Sequence, residues 1–275
     1  MKTGVLLLLL AMPVGLRAQS LDLGVNRVGI SIGNSRQWTG LRLNWRDNRV
    51  EEVNGVNITI WKPIRNPNFE MNGLALGFFG PNARTINGAA IGVGGVVSGA
   101  DINGIALAGL GVVSEGNMYG ISIAGLGVVS QGHMEGIHLA GLGTVAQGGM
   151  TGIHLAGLGA VSQGSVKGLT VSGLGTVAQG DMIGISVAGL GVVAEGDLTG
   201  LNIAGLGAVS QGSMSGFNIA GLGTVAEGNM NGFNFAGLGV VSQGMIKGIS
   251  IAGLGLVGLQ GIRGFSVGGI GVITD

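Results

Sequence analysis

One short period dominates the sequence. From Gly88 to Arg263, eleven consecutive 16-residue units follow one another without an inserted or deleted residue. A fixed short period indicates that each unit repeats one backbone path and packs on the next. Most units read Gly, apolar, variable, apolar, Ala, Gly, Leu, Gly, small, Val, Ser or Ala, Gln or Glu, Gly, polar, Met, variable. The places in this frame are called repeat positions 1 to 16.

The pattern inside each unit predicts β-strands. Residues 120–123 alternate apolar and polar side chains, as in a strand with one buried face, and a second short strand is expected at residues 126–130. Four glycines per unit argue against a helix, because each costs about 1 kcal/mol relative to alanine in a helix interior. The predicted fold is all-β, a parallel β-solenoid with 16 residues per coil, in which equivalent residues stack about 4.8 Å apart.

The apolar columns predict which side chains face the core. We expect positions 2, 4, 7, 10 and 15 to point inward, as exemplified by Ile121, Ile123, Leu126, Val129 and Met134. Positions 3, 9, 11, 12, 14 and 16 are then expected to face water. Sixteen residues would also form an antiparallel hairpin of two short strands, and that alternative predicts opposite directions for neighbouring units.

Three segments are expected along the chain. Residues 1–18 contain an apolar run from Val5 to Met12 and end at Ala18, which is typical of a signal peptide, and an N-terminal membrane anchor is the alternative. Residues 19–87 carry the G-apolar-x-apolar pattern at irregular spacing and are interpreted as irregular N-terminal coils acting as a cap. Residues 88–275 form the regular repeat solenoid. Its last coil is expected to leave an open end that favours self-association.

Composition bounds the compartment and the partners. The mature chain is expected to be exported to the extracellular space or the cell surface, with the periplasm as a further candidate compartment. It has no cysteine, so neither disulfides nor thiolate metal sites are available. Cleavage after residue 18 would leave 11 basic and 13 acidic groups, a balance that does not favour nucleic acid. No later stretch has the unbroken hydrophobicity of a transmembrane helix.

Candidate chemistry is sparse in the repeats. His133, His138 and His154 lie close in the predicted stack, and Asp181 and Asp197 occupy one column, but both sets are interpreted as exposed polar residues without a metal. The glycine triplets lack the lysine and hydroxyl residues of a phosphate loop. We therefore predict a chain with no cofactor and no catalytic residue. The rival hypothesis is a carbohydrate-active β-helix enzyme, which needs clustered carboxylates.

Two polar ladders are expected along the stack. Asn202, Asn218 and Asn234 recur at position 3 and are predicted to exchange amide hydrogen bonds, with Phe217 and Phe233 stacked beside them. The second ladder is predicted at position 12, in Gln131, Gln147, Gln163 and Gln179.

Two surfaces are candidates for binding. The first is a flat face formed by the small residues of positions 9 and 11, which is expected to suit packing on a crystalline polysaccharide or self-association with a second solenoid. Its threonines, Thr144, Thr176 and Thr224, suggest ice or mineral binding as a further alternative. The second is a Trp/Arg head, in which aromatic and arginine side chains mix as they do at protein and glycan contacts. The predicted ligand-binding residues are Trp38, Arg42, Trp45, Arg46, Arg49 and Trp61. The alternative is that these tryptophans only cover the first coil.

The repeat GISIAGLGVVSQGHME resembles the units of glycine-rich bacterial surface-repeat proteins, which read roughly G-L-Q-I-G-L-I-N. The glutamine of that pattern is replaced here by Ser122, His138 or Asn202, and the closing asparagine is absent. The resemblance implies an exported, surface-associated β-repeat protein. The leading hypothesis is a non-enzymatic structural or adhesive rod that binds a protein, a glycan or an envelope surface through its flat face or its Trp/Arg head.

Overall fold

The computed structural model describes residues 20–64 and 66–274, and the predicted signal peptide lies outside these residues. The described residues form an all-β solenoid of about 15 turns, with about 16 residues per turn and no helix. Each regular coil contributes one seven-residue strand and one four-residue strand. The two strands of a coil belong to two facing sheets, so the predicted fold class is confirmed.

The sheet of long strands has 17 members and runs through all of the coils. It consists of β1 (Leu21–Val25), β2 (Val28–Ile32), β3 (Gln37–Asn44), β4 (Glu52–Thr59), β5 (Glu70–Gly77), β7 (Thr85–Gly92), β9 (Ile102–Ala108), β11 (Met118–Ala124), β13 (Met134–Ala140), β15 (Met150–Ala156), β17 (Val166–Ser172), β19 (Met182–Ala188), β21 (Leu198–Ala204), β23 (Met214–Ala220), β25 (Met230–Ala236), β27 (Ile246–Ala252) and β29 (Ile262–Gly268).

The sheet of short strands has 13 members and begins later in the chain. It consists of β6 (Asn82–Ala83), β8 (Gly95–Ser98), β10 (Gly111–Ser114), β12 (Gly127–Ser130), β14 (Gly143–Ala146), β16 (Gly159–Ser162), β18 (Gly175–Ala178), β20 (Gly191–Ala194), β22 (Gly207–Ser210), β24 (Gly223–Ala226), β26 (Gly239–Ser242), β28 (Gly255–Gly258) and β30 (Gly271–Thr274).

Neighbouring coils pair in parallel with a register of 16 residues. Met118 lies opposite Met134, and Gly127 lies opposite Gly143. At the turn between the strands, the Leu142 amide donates to the Leu126 carbonyl oxygen at 2.8 Å. The antiparallel alternative for the repeats is therefore wrong. Antiparallel pairing occurs between β1 and β2, at the start of the described chain.

The irregular N-terminal units join the same ladder. Their signature glycines lie opposite one another in successive strands although the spacing along the sequence varies. The aligned glycines are Gly29, Gly40, Gly55, Gly73 and Gly88. The length variation is therefore absorbed outside the long strands, and the long-strand sheet continues from these coils into the regular repeats.

The predicted core positions are wrong in four of five columns. Met134 at position 15 is buried as expected, but Ile123, Leu126 and Val129 are 41%, 48% and 36% exposed. The buried columns are positions 3, 5, 9, 11 and 15, and in the coil of β11 and β12 they hold Ser122, Ala124, Val128, Ser130 and Met134. Apart from the methionine column, the solenoid is thus filled mainly by small and polar side chains, and the aliphatic columns of positions 2, 4, 7 and 10 face outward.

Strand continuity explains this orientation. Side chains alternate between the two faces of a strand, so residues an even number apart share a face. β11 runs unbroken from Met118 through Gly120 to Ala124. The strand that buries Met118 therefore also buries Ser122 and Ala124, and it turns Ile121 and Ile123 outward. Burying methionine together with isoleucine would require a break in the strand at Gly120.

The predicted asparagine ladder exists, but it lies inside the solenoid. Asn202 donates to Asn218 at 2.9 Å, Asn218 donates to Asn234 at 2.9 Å, and Asn234 donates to Ser250 at 3.3 Å. All four side chains are buried. Because each donated hydrogen bond links two adjacent coils, the ladder offsets the cost of burying amide groups in the core.

A second asparagine ladder was not predicted. It runs through the irregular coils at position 16, where three consecutive bonds of 2.8 Å join Asn54, Asn72, Asn87 and Asn103. These side chains are only partly buried. The recurrence of asparagine before the signature glycine was the available sequence signal. The glutamine ladder at position 12 remains a prediction.

Candidate interaction surfaces

The predicted Trp/Arg head is divided among separate places in the structure. Trp38 is 4% exposed, and its indole Nε1 donates to the Gly29 carbonyl oxygen at 3.1 Å. Arg42 is fully buried at position 3 of its coil. These two residues pack within the solenoid, and a ligand outside it does not reach them. The burial of these two residues therefore fits a structural role in covering the first coils better than a role in ligand binding.

Arg42 is held by a buried polar network. Its guanidinium donates to Asp47 at 2.5 Å, to Asn57 at 2.6 Å and to Asn34 at 3.1 Å. Burial opposes ionisation of Asp47, but the Arg42 charge and a hydrogen bond from Thr59 hold the pKa of its carboxyl below the usual value. The donors and acceptors around this ion pair are hydrogen-bonded to one another, so the network compensates for burying the two charges in the core of the irregular coils.

The other two tryptophans form an exposed aromatic cluster with two phenylalanines. Trp45 and Trp61 stack with their ring centroids 5.9 Å apart and their planes 5° from parallel. Phe79 meets Trp61 edge to face at 4.7 Å, and Phe78 meets Phe79 at 5.5 Å. All four side chains are exposed. A cleft of ≈ 480 Å³ beside Trp45 is lined mostly by aliphatic groups, including Leu43.

The two remaining arginines of the head lie apart from each other. Arg46 is exposed beside the aromatic cluster, and its Nε donates to the Lys62 carbonyl oxygen at 2.9 Å. Arg49 is also exposed but lines a different cleft, of ≈ 350 Å³, together with Arg36 and Glu51. The structure therefore brings together Trp45, Trp61 and Arg46, while Arg49 belongs to a separate surface.

The predicted flat face is buried. Val128, Ser130 and Thr144, at positions 9 and 11, are 0% exposed. The hydroxyl of Ser130 donates to the Gly116 carbonyl oxygen at 2.6 Å and so holds the turn of the preceding coil. Thr176 instead pairs with Ser172 at 2.9 Å. These columns face the interior, because they share a strand face with each other and pack against the long strands.

Four columns of aliphatic and aromatic side chains face outward instead; the leucine column is exposed in every coil, and the other three are half-buried to exposed. They occupy positions 2, 4, 7 and 10 of the ten coils from Gly104 to Arg263, and together they are called the apolar flank. Positions 2 and 4 lie on the outer face of the long-strand sheet, position 7 lies at the turn, and position 10 lies on the outer face of the short-strand sheet. Every residue in these columns is Ile, Leu, Val or Phe.

The leucine column follows the outermost line of this flank. Its members, from Leu126 to Leu254, are 46% to 48% exposed in every coil. At the N-terminal end, the same turn is occupied by the aromatic cluster, where the Trp61 amide donates to the Trp45 carbonyl oxygen at 2.7 Å. The apolar flank therefore continues into Trp45, Trp61 and Phe79.

Charged side chains lie toward the other turn of the coils, and position 16 shares the outer face of the long-strand sheet with positions 2 and 4. From Gly104 to Gly258, six acidic and two basic residues all fall at positions 12, 14 and 16, which are called the polar flank. The acids form no clustered site there. Asp181 and Asp197 each accept a hydrogen bond from the backbone amide one coil ahead, at 2.9 Å and 2.7 Å. Asn117 and Ser213 accept the equivalent hydrogen bond from the amide of the next coil, so these polar side chains at position 14 cap turns.

The three histidines lie in two different environments. His138 and His154 are buried at position 3, stacked 5.2 Å apart, so the prediction that they are exposed is wrong. Burial lowers the pKa of both side chains to about 4. His133 is exposed, and its Nδ1 accepts the Gly149 amide hydrogen at 2.8 Å. Within residues 20–64 and 66–274, no three histidine or acidic side chains are grouped to hold a metal ion.

The chain was compared with known proteins. Neither a protein-family model, nor a curated protein, nor a solved structure matches this chain. In the part of the chain that the structure describes, no helix is long and apolar enough to cross a membrane.

Proposed function

We propose that the chain is a non-enzymatic, exported structural rod that adheres to an envelope surface through its apolar flank. The observation that supports this function is the separation of the two flanks. Four outward-facing apolar columns, half-buried to exposed, run through ten coils, while the charges lie toward the other turn, at positions 12, 14 and 16. Exposed apolar patches of this extent mark surfaces that are covered by a protein or a membrane.

The test compares two variants that each add two positive charges to the same pair of coils, one on the apolar flank and one on the polar flank. Leu142→Lys with Leu158→Lys places two charges on the apolar flank, and Gln147→Lys with Gln163→Lys places them on the polar flank. Because all four positions are exposed, both variants are expected to keep the melting temperature of the parent chain. Fractionation of producing cells is expected to release the leucine variant from the envelope, while the glutamine variant stays bound. Equal distribution of the two variants would contradict the proposal.

Glycan binding at the aromatic cluster is a second candidate function. It is favoured by the exposed stack of Trp45 and Trp61 beside Arg46. Binding to a glycan array that is lost in Trp45→Ala, without product release, would support it. Release of reducing sugar that a single carboxylate substitution abolishes would instead favour the enzyme hypothesis. Ice or mineral binding through Thr144, Thr176 and Thr224 is not retained, because these side chains are buried.

A further inference from the structure

We infer that the apolar flank is covered by the acyl chains of a lipid layer, with the rod lying along the membrane surface. This inference rests on the proposed function and names the surface to which the rod adheres. It would place the leucine column deepest, the side chains of positions 4 and 10 on either side of it, and the polar flank in water.

The chemistry of the flank matches hydrocarbon. Its side chains carry neither a charge nor a polar atom in any of the ten coils. Its turn amides are also paired, which matters in a lipid environment because no water is present there to satisfy an N–H group. At the turn, the amides of Gly125, Leu126 and Gly127 donate to carbonyl oxygens of the preceding coil at 3.2 Å, 2.8 Å and 3.2 Å. The surface that would enter the lipid therefore exposes no unpaired turn amide.

The shape of the flank favours lipid over a second copy of the chain. The leucines lie at the turn between two facing sheets, so the flank is convex and falls away on both sides. Two such flanks would meet along a single line of leucine side chains. A fluid layer closes around a convex surface, and interfacial elements insert about 5–10 Å in this way. Ten coils at about 4.8 Å each give a contact about 48 Å long.

The charge distribution gives the orientation and the class of lipid. Acids outnumber bases on the polar flank, so attraction to anionic headgroups does not drive binding. The N-terminal end of the flank carries Trp45 and Trp61, with Arg46 and Lys62 beside them. Tryptophan and basic side chains are typical of the boundary between headgroups and acyl chains. We therefore expect binding to zwitterionic lipid that salt does not reverse.

The experiment is flotation of the purified chain with phosphatidylcholine vesicles at low and high salt. The parent chain and the Gln147→Lys, Gln163→Lys control are expected to float with the vesicles at both salt concentrations. The Leu142→Lys, Leu158→Lys variant is expected to partition at least about tenfold more weakly. Tryptophan fluorescence of the bound parent chain is expected to shift to the blue and to be quenched by brominated acyl chains, because Trp45 and Trp61 enter the boundary.

The outcomes separate this inference from the proposed function. Binding that requires anionic lipid and is lost at high salt would overturn acyl-chain insertion. A chain that ignores vesicles but forms dimers, which the leucine variant dissociates in sedimentation, would overturn the lipid inference and leave adhesion through the flank intact. Envelope fractions that are unchanged by the leucine variant would overturn both. Should this variant fail to fold by circular dichroism, Leu190→Lys with Leu206→Lys makes the same test three coils further along.

Discussion

Glycine acts differently at different places of the repeat. At position 1 the backbone has positive φ in every regular coil, with 109° at Gly120. A Cβ atom there would lie 2.2 Å from the Gly104 carbonyl oxygen. At position 8, a Cβ atom on Gly127 would meet only the Gly143 carbonyl oxygen, at an ordinary 3.6 Å. The sequence shows glycine equally in both columns, and only the backbone geometry distinguishes the required glycine from the replaceable one.

This difference predicts opposite outcomes for two alanine substitutions in one coil. Gly120→Ala is expected to destabilise the chain by about 2 kcal/mol or more, because the side chain meets both an unfavourable φ and a backbone oxygen. Gly127→Ala is expected to change stability by less than about 1 kcal/mol. Urea unfolding followed by circular dichroism measures both. Similar losses of stability in the two variants would contradict the assigned backbone path.

The strand is the scale at which the sequence interpretation succeeded and failed. The 16-residue period predicted the parallel register, because the repeat length is the same whichever face of a strand is buried. Which face of each strand points inward was predicted wrongly, because apolar residues were assumed to be buried. Met134 at position 15 and Ile137 at position 2 are three residues apart, so an unbroken strand cannot bury both. The odd number of residues between these two columns was the available signal in the sequence. The Trp/Arg head was predicted from composition alone, and composition does not separate a buried Arg42 from an exposed Arg46.

The interior column at position 3 predicts a specific pH dependence. The pKa of His138 and of His154 is about 4 in the folded chain, against an ordinary value of 6.5. Between these values the unfolded chain binds more protons, so stability falls as the pH falls from 6.5 to 4. The loss is on the order of 3 kcal/mol for each histidine. Thermal melting across this pH range is expected to show the decline.

Asparagine variants provide the control for this dependence. His138→Asn with His154→Asn places in this column the residue that Asn202, Asn218 and Asn234 already supply, and it is expected to flatten the decline. His133→Asn changes an exposed histidine at a position where Asn117 already caps the turn, and it is expected to leave the decline unchanged. A decline that persists in the double variant would show that the buried pair is not its source.

At the scale of the whole molecule, the coils form an amphipathic rod. The ladder of backbone hydrogen bonds, the methionine column and the buried small residues hold the coils together, and the aliphatic side chains of positions 2, 4, 7 and 10 lie outside this core. They are left on one flank, where they are available to a second surface. Both the proposed adhesion and the lipid inference follow from this arrangement, and both depend on the direction in which positions 9 and 10 point.

That direction is most directly measured with single cysteines, because the natural chain contains none. Val129→Cys at position 10 is expected to react rapidly with a maleimide in the folded chain. Val128→Cys, its neighbour at position 9, is 0% exposed in the parent and is expected to react only on unfolding. Rapid labelling of Val128→Cys with protection of Val129→Cys would contradict the account, because the leucine and valine columns would then lie inside and no apolar flank would exist.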